Sequence, residues 1–281
     1  MDFQEVYKAK ISQIDDYIEK YLDSQKNIEP LMKEAMKYSV LNGGKRLRSI
    51  LCTEICALLG ADRKKSMPFA MAIEFIHAYS LVHDDLPSMD NADTRRGMPS
   101  CHKKYGEGFA VLTGDALLNL AYEVMAQECS NGTEGAADAM KIIANCAGIH
   151  GMVNGQAIDL KLPECEHVTE ADLITLIEQK TMALIRASVI SGAIVAGASD
   201  NNIKLLEEYA YSLGLAFQIR DDFEDEIEDG ADANDSPNFI NILGRNAAYD
   251  KLEIHQKKAY NIISSFGDDS FLCDFHKYLF N

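Results

Sequence analysis

Apolar residues recur at steps of three to five from the start of the chain. Val6, Ile11, Ile14, Tyr17, Ile18, Tyr21 and Leu22 make one stripe along a helix. Asn42-Gly43-Gly44 interrupts the next helix, and Lys45 opens another that runs to about Leu59. Residues 68–86 predict an apolar helix stopped by Pro87, and residues 110–128, 137–154, 171–198 and 202–227 read the same way. No stretch alternates apolar and polar residues with turn signals at its ends, so essentially no sheet is expected. Gly, Asp, Asn and Pro mark connections at 87–108, 130–135, 161–169, 199–202 and 229–238. Short polar connections between very apolar helices imply one all-α domain over residues 1–281, with helices packed around a central buried pair. The pattern does not set the topology.

Composition narrows the function classes. The formal net charge of −17 argues against a protein that tracks nucleic-acid phosphates or anionic membranes. It leaves small anionic ligands open, because a few local cations or bound metal ions override net charge. None of the seven Cys forms a CxxC pair, which fits free thiols in a reducing compartment. The opening MDFQEVYKAK has no basic region leading into an apolar one, so no secretory leader is expected. The most apolar long stretch, residues 181–198, carries Arg186 and many small residues and reads as a buried helix rather than a membrane span. A soluble cytoplasmic protein is expected.

Two acidic clusters carry the chemistry. His83-Asp84-Asp85-Leu86-Pro87-Ser88-Met89-Asp90 ends an apolar helix, where the macrodipole disfavours carboxylates, so a structural origin is unattractive. Gln218-Ile219-Arg220-Asp221-Asp222-Phe223-Glu224-Asp225 follows another apolar run, with Asp221 and Asp225 on one helical face. Carboxylates without His or Cys partners suit hard divalent cations, magnesium first. Together the clusters imply a cavity whose rim holds a metal-bound diphosphate. Gly43-Gly44-Lys45-Arg46-Leu47-Arg48 opens a helix with three cationic side chains, a plausible diphosphate cradle that lacks P-loop spacing. Arg95 and Arg96 stand just after the first acidic cluster.

These residues resemble the trans-polyprenyl synthetase family, which includes farnesyl and geranylgeranyl diphosphate synthases. The resemblance covers about Tyr38 to Leu243 and rests on GGKRLR (43–48), EFIHAYSLVHDDLPSMDNADTRRGMPSCH (74–102), GDAL (114–117), GQAIDL (155–160), QKTMALIRA (179–187) and FQIRDDFED (217–225). It implies long helices around a deep apolar cavity, usually in a homodimer. It implies that Asp84, Asp85, Asp90, Asp221, Asp222 and Asp225 bind magnesium ions, three with the diphosphate bound, with manganese as a substitute. Arg95, Lys180 and Gln218 would contact an allylic diphosphate, with Thr181 nearby. Lys45, Arg48, His77 and Arg96 would hold isopentenyl diphosphate. The expected reaction is a 1'-4 condensation that gives farnesyl diphosphate, with Asp84, Asp85, Asp90, Asp221 and Lys180 as its catalytic set. Geranyl or geranylgeranyl diphosphate synthesis, or a weakly active regulatory subunit, are the alternatives.

Tyr79 and Ser80 lie five and four residues before Asp84, roughly 6–7.5 Å deeper along the helix, where a growing prenyl tail must pass them. A bulky Tyr79 closes such a cavity early, which favours a C15 product. Several positions depart from the family pattern. The stretch 226–244 has no Lys, and Ser236 stands about where one is usual. Met182 replaces a Gly beside Thr181 and is expected to narrow the cavity. Asn154 replaces a Gly and Ser49 a Pro, and the FHKYLFN terminus lacks a basic end.

Overall fold

The computed structural model describes residues 2–162, 167–229, 237–267 and 270–280. Helices α1 (Phe3–Ser24), α2 (Pro30–Leu41), α3 (Leu47–Leu58) and α4 (Met67–Asp84) come first. A two-stranded ladder follows, β1 (Thr94–Arg95) against β2 (Met98–Pro99), then α5 (Cys101–Tyr105), α6 (Glu107–Ser130), α7 (Ala136–Ala147) and α8 (Met152–Lys161). The chain continues through α9 (Glu170–Ile177), a π turn over Glu178–Met182, α10 (Ala183–Val195) and α11 (Asp200–Asp229). It ends with α12 (Phe239–Leu243), α13 (Arg245–Ser264) and α14 (Phe271–Phe280).

The expected central pair is α4 and α10. Both are apolar on nearly every face, so both must be covered on all sides. Helices α3, α6, α7 and α11 supply the cover, α13 packs on α11, and α1 and α2 lie against α4. Local chemistry fixes the ends. Pro30 and Pro68 sit in the first turns of α2 and α4, where a missing N–H leaves nothing unbonded. Thr169 and Asp172 close a capping box at the start of α9.

Three expectations change in detail. The helix expected over 137–154 breaks after Ala147, since the chain folds back so tightly that a Cβ on Gly151 would lie 2.0 Å from the Cys146 carbonyl oxygen. The helix expected over 171–198 runs on, but with a π turn at its middle. Among the described residues sheet is nearly absent, as expected, apart from the ladder at 94–99, whose two-residue turn places Arg96 and Gly97 at φ 54° and 74°. Turns of that hand match the twist of paired strands. The ladder matters because it carries Arg95 and Arg96 toward the end of α4. By length and composition α6 is long and apolar enough to cross a membrane, yet Leu117, Ala121, Val124 and Met125 bury one of its faces in the main core.

Candidate active site

The two acidic clusters and the cationic loop surround two cavities that share a wall. The first, of about 380 Å³, runs beside the C-terminal half of α4 and is lined by Tyr79, Ser80, Asp84, Lys180, Thr181 and apolar side chains of α8 and α10. The second, of about 540 Å³, is bounded by Gly43, Gly44, Lys45, Arg96 and Phe217. Arg48 and His77 line both. An apolar slot and a cationic one therefore adjoin across a single pair of side chains.

That wall is electrostatically unusual. The Arg48 guanidinium reaches His77 Nε2 at 3.4 Å through Nη1, while its Nε is buried without a hydrogen-bond partner. Burial, followed by the positive charge of Arg48 and then of Arg96, holds His77 well below the usual imidazole range, so the ring is neutral. Since arginine can only donate, Nε2 accepts and the ring proton is assigned to Nδ1. Burial also lowers Arg48, with Arg96 adding to the effect. A cationic wall short of hydrogen-bond acceptors favours an anionic ligand.

The three cations of the expected cradle at 43–48 all line the second cavity, but they differ in what they hold. Arg46 lines the second cavity, but its guanidinium is already engaged by Asp15 (2.7 Å), Glu74 (3.3 Å) and the Val40 carbonyl (2.7 Å). It stands at φ 48° as the residue that starts α3, which turns its side chain inward while Lys45 stays exposed and Arg48 reaches the shared wall. Glu74 also accepts from the Ser49 hydroxyl at 2.7 Å, which gives a use for the Ser found where the family pattern has Pro. Arg96 closes the opposite side and donates to the Gly43 carbonyl at 2.7 Å. Its guanidinium fills the space beside Gly44, where a Cβ would come within 2.9 Å of it.

The acidic residues divide by environment. Asp85 is buried and held by Arg95, at 2.5 Å from Nη2 and 3.0 Å from Nε. Asp222 is buried too: one oxygen accepts from the Phe239 N–H at 2.8 Å and the other from Gln218 at 3.1 Å. Asp84 lines the first cavity, and its carbonyl accepts from the Asp90 N–H at 2.9 Å. Asp221 pairs with Arg220 at 3.1 Å, and the Lys45 charge reaches it. Burial pushes Asp84, Asp221 and Asp222 up to about 6. Asp90 and Asp85 raise Asp84 further against the pull of Lys180 and Arg95. Arg220 and Lys45 hold Asp221 down, and Phe239 and Gln218 do the same for Asp222.

Those raised carboxyls are an observation about metal. They are oxygen donors kept anionic at neutral pH at a cost that a nearby cation would remove. Among the described residues no group of three His, Cys, Asp or Glu side chains converges enough to hold an ion alone. This suits magnesium, which takes one or two carboxylates and completes its shell with water and substrate phosphates. The residues present fit the ion. Asp84 lines the first cavity and Asp90 follows it in the same acidic cluster, while Asp221 is paired with Arg220, Asp85 with Arg95, and Asp222 with Phe239 and Gln218. Asp225, also expected as a ligand, is exposed on α11, one turn past Asp221.

On the far side of the first cavity Lys180 Nζ lies 2.5 Å from Asp159 Oδ2, and Thr181 donates to Gln218 Oε1 at 3.1 Å. The chain Thr181–Gln218–Asp222–Phe239 thus ties the π turn to α11 and α12. Helix α8 fixes the turn from below: Asn154 donates to Gln179 at 2.5 Å, and Gly155 admits the Lys180 backbone nitrogen 2.3 Å from where a Cβ would stand. Asn154 in place of Gly is therefore a tether. Asp159 was given no role from the sequence, although its spacing four residues after Gly155 puts both on one face of α8. The expectation for Met182 is overturned. Its side chain is buried away from the first cavity and presses into the notch at Gly214, 2.7 Å from where a Cβ would be, so it does not narrow the slot. Ser236 lies outside the described residues, and beyond it Arg245 pairs with Glu226 of α11.

A helical bundle with adjoining apolar and cationic cavities rimmed by two acidic clusters is the architecture of the all-α isoprenoid synthases. The chain belongs to the polyprenyl synthetase family, whose model, described as Polyprenyl synthetase, matches residues 29–236. It is 43% identical over 215 residues to the chloroplastic heterodimeric geranylgeranyl pyrophosphate synthase large subunit 1 of Arabidopsis thaliana, covering 74% of this chain but 58% of the relative. It is 37% identical over 243 residues to the farnesyl diphosphate synthase of Bacillus subtilis, covering 83% of this chain and 82% of that protein. The apo FPP/GFPP synthase of Zymomonas mobilis superposes with a TM-score of 0.88 at 35% identity, over 98% of each chain.

Proposed function

We propose that residues 1–281 form one catalytic unit that elongates an allylic diphosphate with isopentenyl diphosphate, and that farnesyl diphosphate is its product. The observation that carries this is the shared Arg48–His77 wall between an apolar slot rimmed by Asp84 and Lys180 and a cationic slot rimmed by Lys45 and Arg96. Two diphosphates with prenyl tails need two such slots, side by side. The family depends on divalent metal. Magnesium held by Asp84, Asp90 and Asp221, with Asp85, Asp222 and Asp225 beside them, would supply positive charge for the departing diphosphate.

The chain's own residues then have definite tasks. Lys180 and Arg95 face the allylic diphosphate oxygens, and Thr181 and Gln218 orient the turn that carries Lys180. Lys45, Arg48 and Arg96 hold isopentenyl diphosphate, with neutral His77 positioning Arg48. The C1–O bond of the allylic substrate breaks, and C1 bonds to C4 of isopentenyl diphosphate. The proton lost from C2 passes to the released diphosphate, which fits a site where the imidazole shared by both cavities, His77, already spends Nε2 on Arg48. Tyr79 and Ser80 lie on the cavity wall below Asp84, which supports early closure and a C15 product. Exposed Leu112 and Ile149 supply apolar surface for the homodimer we propose. We place the protein in the cytoplasm.

A longer, C20 product is the second reading, favoured by the likeness to a geranylgeranyl pyrophosphate synthase subunit. The test is a product assay with magnesium, isopentenyl diphosphate, and dimethylallyl or geranyl diphosphate, with products separated by chain length. A C15 product is expected, together with loss of condensation in Asp84→Ala and Asp221→Ala. C20 would select the second reading. No condensation would leave the regulatory-subunit alternative, and near-normal turnover in both variants would overturn the site.

A further inference from the structure

We infer that His83 determines product length together with Tyr79, as the second ring of a two-ring floor seated in a notch of α6. The inference rests on the elongation reading above and goes beyond Tyr79 as a lone stop. Tyr79 and His83 are four residues apart on α4 and therefore share a face. Both line the first cavity, and their rings meet edge to face, 5.7 Å between centroids at 77°. A tyrosine on a helix wall can leave a cavity by changing rotamer. Here the His83 ring covers one flank of Tyr79.

His83 is in turn held from behind. Its Nε2 lies 3.2 Å from the Val111 carbonyl and 3.9 Å from the Asp115 carboxylate, both on α6. Its ring occupies the space where a side chain at position 114 would stand: a Cβ on Gly114 would come 2.1 Å from Nε2 and 2.4 Å from Cδ2. No residue larger than glycine fits there without displacing the imidazole that flanks Tyr79. The floor is thus a stack of three parts, with the Gly114 backbone supporting His83 and His83 flanking Tyr79. This also gives a physical task to the glycine of the GDAL segment and to the histidine of the first acidic cluster, neither of which the substrate-binding assignments use. Removing the imidazole leaves Tyr79 room to swing toward α6 and lets the tail run on.

The experiment is the elongation assay with dimethylallyl and isopentenyl diphosphates and magnesium, run on full-length wild type, His83→Ala, His83→Gln and His83→Phe. Folding is checked by thermal melts. The Ala and Gln variants are expected to raise the ratio of longer product to wild-type product by about tenfold or more, the scale at which pockets sense added methylenes. The Phe variant, which keeps a ring on the notch, is expected to hold the wild-type length. His83→Gln keeps a polar contact for the Val111 carbonyl and serves if His83→Ala does not fold. Wild-type product length from both ring-less variants, or lengthening by the Phe variant, overturns the inference alone. Absence of any elongation by the wild type overturns the function beneath it.

Discussion

Lys180 and Asp159 form an ion pair at 2.5 Å on the rim of the apolar cavity, each side chain about one-third exposed. The ammonium expected to meet a diphosphate is thus already engaged by a carboxylate of α8. An arriving anion must displace that carboxylate.

Asp159→Asn should therefore bind inorganic diphosphate more tightly in the absence of metal. Ion pairs this exposed contribute well under a kcal/mol or up to about 1, so the gain is about two- to fivefold. Isothermal titration with EDTA present measures it. Weaker binding by the variant would show that Asp159 aims Lys180 rather than competes for it.

Neighbouring arginines of the GGKRLR segment should separate cleanly. Arg46→Met leaves Glu74 buried without its cation and should cost about 3–5 kcal/mol of stability in urea unfolding. Arg48→Met should leave stability close to wild type and instead raise the KM for isopentenyl diphosphate. Equal stability losses would mean that both arginines are structural.

Gly214→Ala should lower stability by about 1–3 kcal/mol, since the added methyl overlaps Met182 in a packed core. The double variant with Met182→Gly should lose less than the sum of the two single losses, because the two sites share one contact. Denaturant midpoints of the two single variants and the double variant test this. Additive losses would place the strain elsewhere.

Asp84 titrates at about 6 in the folded chain, against about 3.9 unfolded. Between those values the folded state binds more protons, so this group's contribution to stability falls as pH rises through the window and then levels off. In EDTA, Asp84→Asn should match wild type near pH 4 and gain on it progressively up to about pH 6. Comparing the two proteins cancels the opposing loss, at falling pH, from buried His77 and His276, both held below the usual imidazole range. A gap independent of pH would mean that the Asp84 carboxyl is not raised.

The sequence carried the helices and the acidic clusters well because both are local signals. Apolar periodicity marks α4 and α10, and Asp84 stands at the end of α4, where the macrodipole disfavours a carboxylate. What it hid depends on packing between distant segments. Arg46 and Arg48 look alike in GGKRLR, and only the left-handed start of α3 commits the first to Asp15 and Glu74 while the second meets His77 in the shared wall. Met182 looked like an obstruction because nothing in the sequence shows Gly214 across from it. Asp159 had no visible role until α8 met the π turn. Gly148 and Gly151 could have warned of the break after Ala147, since glycines three apart interrupt a helix readily.

The π turn at Glu178–Met182 adds one residue to a helical turn, which rotates everything after it by about 100° relative to everything before. Upstream, Leu173, Leu176 and Ile177 lie in the smaller core beside α11 and α12; downstream, Leu184, Ile185 and Ala187 lie in the main one. A single rod thus serves two cores that are out of phase with each other, and Lys180 stands at the splice. Deleting one residue there would make the helix more regular and put one of its two apolar stripes in water.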